Sequence, residues 1–280
     1  MGTVVMNTLG IIAGSRGLPL LVAREARRLG VKSIVAVAVE GETDPAISGL
    51  ADQVVWVKVG QLGRLIEAFR ERGVQQCVMA GQIAPKNLFD LRPDLRAMKL
   101  LWSVKERHAH SLFAAVGREL ERDGIQLIDA LPWLGPALVQ PGYQAGPALT
   151  EVQWQDLRLG ARVAREVARL EIGQTVVVKE GVVLAVEAFE GTDRCLARGG
   201  ELAGRQGGAV AVKLPKAGHD MRFDIPCAGA KTVETCGQSG VRVLALEPGR
   251  TILLERAETE MLCRQQSVSL VALPAEPNPR

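Results

Sequence analysis

Short apolar runs alternate with amphipathic helical stretches from residue 9 to residue 128, and no other feature restricts the first half of the chain as strongly. Residues 9–13 form an apolar run. Residues 19–29 read as a helix, with Pro19 in its first turn and Gly30 as its stop. Residues 33–39 are a nearly unbroken apolar run, which needs cover on both faces, as buried parallel strands have. The strand pattern returns at 54–57 and 76–80, with a helix at 61–72 ended by Gly73. Helical patterns at 94–105 and 111–123 precede a last run at 125–128. Strands separated by helices in this way predict an α/β fold: a Rossmann-like parallel sheet with helices on both faces.

Residues 131–149 hold four prolines and three glycines without a charge and read as a linker between a domain of residues 1–130 and one of residues 150–280. The length of 280 residues agrees with two domains at about 150 residues each. Thr150 and Gln153 form a capping-box pattern opening a helix to about residue 170. Runs at 175–179 and 182–187 flank Glu180-Gly181 as a hairpin. Strands at 209–214, 241–246 and 268–273, with helices at 232–239 and 256–265, make the second domain mixed α/β.

Composition removes several function classes. The net charge of +3 and the 4% aromatic content, with a single Tyr, exclude a dedicated nucleic-acid binder. No stretch reads as a membrane span, and the first residues lack the basic and apolar regions of a signal peptide, so the expected location is the cytoplasm. Five cysteines without a C-x-x-C pattern support neither a disulfide framework nor a structural zinc site, and each reads as a small buried hydrophobe. His108, His110 and His219 are too few for a calcineurin-like two-metal phosphoesterase. P-loop, H-E-x-x-H and G-x-S-x-G patterns are absent from the sequence.

Two regions remain as carriers of chemistry. Gly10-Ile-Ile-Ala-Gly14-Ser-Arg-Gly17 lies between the first strand and the first helix, where glycines let backbone N–H groups approach a phosphate. Glu40 closes the second strand, where a Rossmann fold places its ribose-binding acid, so Gly14, Gly17 and Glu40 also fit an NAD(P)-binding oxidoreductase. Glycines needed only for a tight turn fit equally well. In the second half, Glu187, Glu190, Thr192 and Asp193 follow the hairpin, and Lys213, Asp220, Arg222 and Asp224 follow the next strand. Asp220 and Asp224, four apart, share a face in a helix or a strand. Carboxylates beside Lys and Arg suit a Mg²⁺-bound diphosphate, and a solvated charged loop is the competing reading.

These segments resemble a known family. Gly10-Ile-Ile-Ala-Gly14 with Gly17-Leu-Pro19, Gly60-Gln61-Leu-Gly63, Glu187-Ala-Phe-Glu190-Gly-Thr192-Asp193 and Lys213 through Asp220-Met-Arg222-Phe-Asp224-Ile-Pro226 stand in the order found in UDP-2,3-diacylglucosamine pyrophosphatases of the LpxI type, which act in lipid A biosynthesis. The resemblance spans about residues 9–273. It implies Mg²⁺-dependent hydrolysis of the diphosphate to UMP and 2,3-diacylglucosamine 1-phosphate (lipid X), with water attacking the sugar-bearing phosphorus. A non-catalytic nucleotide-sugar binding protein is the blander alternative. Carried onto this chain, the resemblance makes Asp220 and Asp224 metal ligands or water activators, and Lys213 and Arg222 the stabilisers of phosphoryl charge. Gly14, Gly17, Gln61, Gly81, Glu187, Glu190, Thr192 and Asp193 become substrate contacts. It further implies an amphiphilic UDP-sugar lipid as partner and transient contact with the inner face of the cytoplasmic membrane; the oligomeric state is left open by the sequence, a homodimer being one reading. His108-Ala109-His110 stands where relatives carry an acidic pair, which leaves the number of metal ions open.

Overall fold

The computed structural model describes residues 7–83, 93–104, 109–215, 221–222 and 225–274, without the side chains of 109–111. These residues fall into two compact units. One runs to Pro136 and takes in the described residues of 220–225, and the other holds the remainder from Ala137 onward.

The first unit is built on β1 (Thr8–Ala13), β2 (Ser33–Val39), β3 (Gln53–Val57), β4 (Gln76–Ala80) and β5 (Gln126–Leu127). All its strand pairings are parallel, in the order β3-β2-β1-β4-β5. Helices α1 (Leu18–Arg28), α2 (Leu62–Arg70), α3 (Leu95–Ser103), α4 (Ala109–Arg122) and the short α5 (Leu131–Leu134) accompany it. Every residue of β2 after Ser33 is buried, as its unbroken apolar run requires. Side chains of β2 and β4 pack with Leu65, Ile66 and Phe69 of α2 and Leu120 of α4. This is the expected parallel sheet, and its order reverses direction at the boundary of β1 and β4. Ligands of open α/β sheets bind outside the strand carboxyl ends at such a switch point.

The second unit has a six-stranded mixed sheet built from β6 (Gln144–Ala145), β7 (Thr175–Lys179), β8 (Val182–Val186), β9 (Ala209–Lys213), β11 (Val241–Leu246) and β13 (Ser269–Ala272), in the order β6-β13-β11-β9-β7-β8. Strands β9, β11 and β13 are parallel, and β6, β7 and β8 make the antiparallel pairings. A separate two-stranded pair joins β10 (Cys227–Ala228) to β12 (Ile252–Leu253). Helix α6 (Glu151–Arg169) covers one face of the six-stranded sheet, and α7 (Thr192–Leu202), α8 (Ala230–Ser239) and α9 (Arg256–Gln265) belong to the other. Strand alternation sorts the two cores: Val176, Val178, Val210 and Val212 meet Leu157 and Ala161 of α6, while Val177, Ala209 and Ala211 meet Leu196 of α7. The bulge between Val241 and Val243 explains why both Val241 and Leu244 reach the α7 side.

Two features depart from the sequence reading in detail. Residues 131–149 contain α5, a 3₁₀ turn at Gly135–Ala137 and the edge strand β6, so part of this proline-rich stretch belongs to the two packed units. Helix α7 was not expected, because Gly199-Gly200 lowers its helical propensity. A Cβ on Gly199 would lie 2.6 Å from Cβ of Val177, and one on Gly200 would lie 2.0 Å from the Ser239 carbonyl oxygen. The pair lets α7 press against both the sheet and α8.

The α6 capping box is present, with Thr150 and Gln153 each accepting the other's backbone N–H. Cys77, Cys195, Cys236 and Cys263 are buried thiols, as expected, whereas Cys227 in the short pair β10–β12 is only half-buried. Burial pushes Cys77, Cys195 and Cys236 up to about 12 and Cys263 up to about 11, so none is a ready nucleophile. No helix among the described residues is long and apolar enough to cross a membrane.

Candidate active site

The carboxyl end of β9, β11 and β13 collects the second-half motif. Lys213 is the last residue of β9 and pairs with Thr175, the first residue of the antiparallel β7. Glu187 follows β8 and donates its backbone N–H to the Thr175 carbonyl at 2.8 Å. The chain then turns through Gly191, at φ 85°, into the first turn of α7, which carries Thr192 and Asp193. Thus strand order alone brings Glu187, Thr192 and Lys213, 26 residues apart at the extremes, to one end of one sheet.

Their side chains form a directed chain of hydrogen bonds. The Thr175 hydroxyl donates to the Thr192 hydroxyl at 3.4 Å, and Thr192 donates to Glu187, whose two carboxylate oxygens each lie 3.2 Å away. One hydroxyl has one proton, so it serves one of these oxygens at a time. Glu187 is buried, with 8% exposure, and its charge reaches far enough to raise the Cys195 thiol, although burial is the larger cause there. Glu190 has a different position. Its carboxylate accepts the Ala188 N–H at 3.0 Å and Arg198 at 2.6 Å, and the Arg198 guanidinium holds it below the usual carboxylate range. Glu190 therefore clamps the loop, leaving Phe189 between Ala188 and Glu190 fully exposed. Lys213 is half-buried and donates from Nζ to the Cys227 carbonyl at 3.1 Å, which anchors its ammonium at the end of β9.

The first-unit residues surround the switch point of the parallel sheet. Gly14 donates its N–H to the Ala80 carbonyl at 2.8 Å, and the N–H and hydroxyl of Ser15 both reach the Gln82 carbonyl. A Cβ on Gly14 would lie 2.7 Å from that same carbonyl oxygen, and one on Gly81, at φ +83°, would lie 2.4 Å from the Ser15 carbonyl oxygen. These two glycines are thus required by the mutual approach of the β1 and β4 loops, whatever else binds there. Arg16 follows with φ 68°, and Gly17 is the N-cap of α1. Gln61 caps α2, and its Oε1 accepts the Lys58 N–H at 2.8 Å. Glu40 is exposed at the end of β2.

Three polar residues escaped the sequence reading. Thr43 is buried, accepts the Val39 N–H and donates to the Ala13 carbonyl at 2.6 Å, tying the ends of β2 and β1. Asp94 accepts the Ala97 N–H with one oxygen and the Gly63 N–H with the other, so one carboxylate serves the N-termini of α3 and α2. Asp94 opens the helical pattern three residues before Ala97, which is a legible cap, but its second partner is 31 residues away. Thr175, in the second unit, opens a largely apolar strand and gave no signal.

Asp220, Asp224, His108 and His219 lie outside the described residues, as does the side chain of His110. Arg222 stands half-buried in a turn and groups with the first unit. Among the described residues no three His, Cys, Asp or Glu side chains gather as metal ligands.

A five-stranded parallel sheet with glycine loops at its switch point, joined in sequence to a mixed sheet ending in a buried Glu, a Thr relay and an anchored Lys, defines a two-unit α/β protein. The models of the LpxI N-terminal domain and LpxI C-terminal domain match residues 8–135 and 140–271. The chain belongs to the LpxI family. It is similar to the UDP-2,3-diacylglucosamine pyrophosphatase LpxI of Caulobacter vibrioides, with 30% identity over 287 residues, covering 98% of this chain and 100% of the relative.

Similar solved structures include the biotin carboxylase domain of a thermophilic 2-oxoglutarate carboxylase bound to ADP, at 15% identity and TM-score 0.28, over 61% of this chain and 34% of that one. The N5-carboxyaminoimidazole ribonucleotide synthetase of Thermotoga maritima matches at 14% identity and TM-score 0.24, over 66% of this chain and 42% of that one. The chain thus spans less than half of either structure.

Proposed function

We propose that this protein hydrolyses UDP-2,3-diacylglucosamine to UMP and 2,3-diacylglucosamine 1-phosphate, in a Mg²⁺-dependent reaction of lipid A biosynthesis. The observation that carries the reading is the match of both halves of the chain to LpxI domains, together with near full-length similarity to a pyrophosphatase of that name. The grouping of Glu187, Thr192 and Lys213 at one sheet end supports it, since an anionic diphosphate needs a held cation beside polar groups.

In this mechanism water attacks the phosphorus that bears the sugar, the bond from that phosphorus to the bridging oxygen breaks, and the oxygen leaves with UMP. The attacking water gives its proton to a carboxylate, for which Asp220 and Asp224 are our candidates. Lys213 and Arg222 stabilise charge on the phosphoryl oxygens, which is where most of the advantage in phosphoryl transfer arises. Glu187, fixed by Thr192, orients a substrate hydroxyl or a water. Gly14, Gly17, Gln61 and Gly81 shape the loops that receive the nucleotide. Asp193 assists from the first turn of α7, and Glu190 acts through the loop it clamps.

The donor set decides where a cation fits. Glu190 is held by Arg198 and Ala188, while Glu187 accepts a single hydroxyl proton from Thr192; in this reading Asp220 and Asp224, whose oxygens suit Mg²⁺, would hold the cation. When bound, Mg²⁺ supplies Lewis-acid stabilisation of the diphosphate oxygens. Gly14, which also fitted an NAD(P) site, is accounted for by the packing of the β1 and β4 loops. The same reading places the enzyme in the cytoplasm, meeting its substrate at the membrane surface.

The test is release of UMP from UDP-2,3-diacylglucosamine. Activity is expected with Mg²⁺ and is expected to vanish with EDTA and in Asp224→Ala. Full activity in EDTA with both Asp220 and Asp224 replaced by Ala would overturn the mechanism, and no UMP release under any condition would overturn the function.

A further inference from the structure

We propose that helix α3 is the surface through which the protein docks on an anionic membrane. The proposal rests on the functional reading above, because a diacylated substrate resides in a lipid surface and the protein must meet it there.

Helix α3 has two unlike faces. Ala97 and Leu100 are buried in the core of the first unit, and Arg96 is held by Glu119 and Asp123. Leu95, Lys99 and Trp102 stand at i, i+4 and i+7 and share the opposite face, with half-buried Met98 beside them. Leu95 is 77% exposed and Trp102 74% exposed. Among the described residues of the first unit, these are the two large apolar side chains with more than half their surface in water, and they sit on the same helix face. Single exposed apolar residues are ordinary, but a Leu and a Trp aligned on nine residues of helix are not explained that way.

The chemistry of this face matches a lipid headgroup region. An amphipathic helix at an interface buries a shallow apolar strip, surrounds it with cations and favours Trp at the boundary. Lys99 lies within the strip and has no ion-pair partner among the described residues. Apart from the paired Arg96, residues 92–107 of the sequence carry Arg92, Lys99, Lys105 and Arg107 against Asp94 and Glu106, an excess of positive charge that complements anionic lipid. A second copy of the chain is a poorer occupant. Three side chains offer a few hundred Å², against roughly 800 Å² per partner in a stable dimer, and a symmetric contact would bring Lys99 towards its own counterpart.

The experiment is co-sedimentation of the full chain with vesicles of phosphatidylethanolamine, with and without phosphatidylglycerol. Binding is expected only with phosphatidylglycerol, to weaken as salt rises, and to fall about tenfold or more in Leu95→Asp/Trp102→Asp. Brominated lipid is expected to quench Trp emission, and Trp102→Phe is expected to remove most of that quenching. No vesicle binding by the wild type, or equal binding by the double variant, would overturn the proposal. So would a wild-type dimer that the double variant converts to monomer without any vesicle binding. Hydrolysis of detergent-dispersed substrate is expected to survive the double substitution. A wild type that binds vesicles but hydrolyses nothing would sink the functional reading and leave the docking face standing, whereas hydrolysis without vesicle binding would do the reverse.

Discussion

Replacing Lys213 with Met separates two roles that the same side chain could play. In the structure the ammonium donates one hydrogen bond, to the Cys227 carbonyl, from the end of a buried central strand. Losing that charge-assisted bond costs about 1.5–3 kcal/mol, while the methionine keeps the apolar stem in place. Against a typical stability of about 5–15 kcal/mol, nearly all of the variant remains folded. If Lys213 also meets negative charge developing on the phosphoryl oxygens, kcat falls far more, by about 10²–10³-fold, the usual effect of removing one such donor. That range equals about 2.7–4 kcal/mol of transition-state stabilisation. The two effects are read on one preparation, by UMP release at saturating substrate and by denaturant unfolding. Lys213→Arg is expected to recover part of the rate, because it keeps the charge but changes its reach and geometry. An unchanged kcat in Lys213→Met, or a loss of rate no greater than the loss of folded protein, would refute the catalytic role and leave only the anchor to Cys227.

Two further outcomes follow from the geometry. Asp156 is 3% exposed and accepts the N–H groups of Glu180 and Gly181 at 2.8 and 2.7 Å, fixing a turn whose residues sit at φ 49° and 78°. Asp156→Ala is therefore expected to destabilise the protein by about 2–4 kcal/mol in denaturant unfolding, and a change below about 1 kcal/mol would show that the turn holds without it. Asp52 is held below its ordinary pKa of 3.8, first by the Ile34 N–H and then by Arg27. A carboxylate lowered in the folded state stabilises it above the unfolded pKa and loses that contribution as pH falls through the folded value. The stability difference between wild type and Asp52→Asn should therefore be present at neutral pH and shrink as pH drops below about 3.8, and salt should reduce it because the pair is nearly half exposed. A difference constant from neutral to acid pH would refute this assignment.

The first sheet was legible because its strands announce themselves locally. An unbroken run such as 33–39 leaves a strand few options besides the middle of a covered sheet, and glycine and proline mark the helix ends. Helix α7 was illegible for the opposite reason. Gly199 and Gly200 argue against a helix within the segment, and only the closeness of Val177 and Ser239 explains their presence. The edge strand β6 likewise has no strand signal of its own, since its two residues are recruited by pairing with β13. The candidate site divides in the same manner. Carboxylates near Lys213 stood out as a motif, yet which of them are committed could not be read: Glu190 takes Arg198 from the next helix, and Glu187 takes Thr192 at the first turn of that helix.

By itself the sequence determined the α/β class, the helix caps at Thr150 and Gly30, the buried character of four of the five cysteines and the order of motifs that marks the family. Those properties depend on period, composition and residues close in the chain. Tertiary structure decided which glycines serve backbone approach, that Thr175 and Thr192 point a hydrogen-bond relay at Glu187, that Asp94 serves two helices, and that α3 turns Leu95 and Trp102 outward. Each of those depends on a partner far along the chain or on a surface left uncovered, and strand order, not local propensity, sets both.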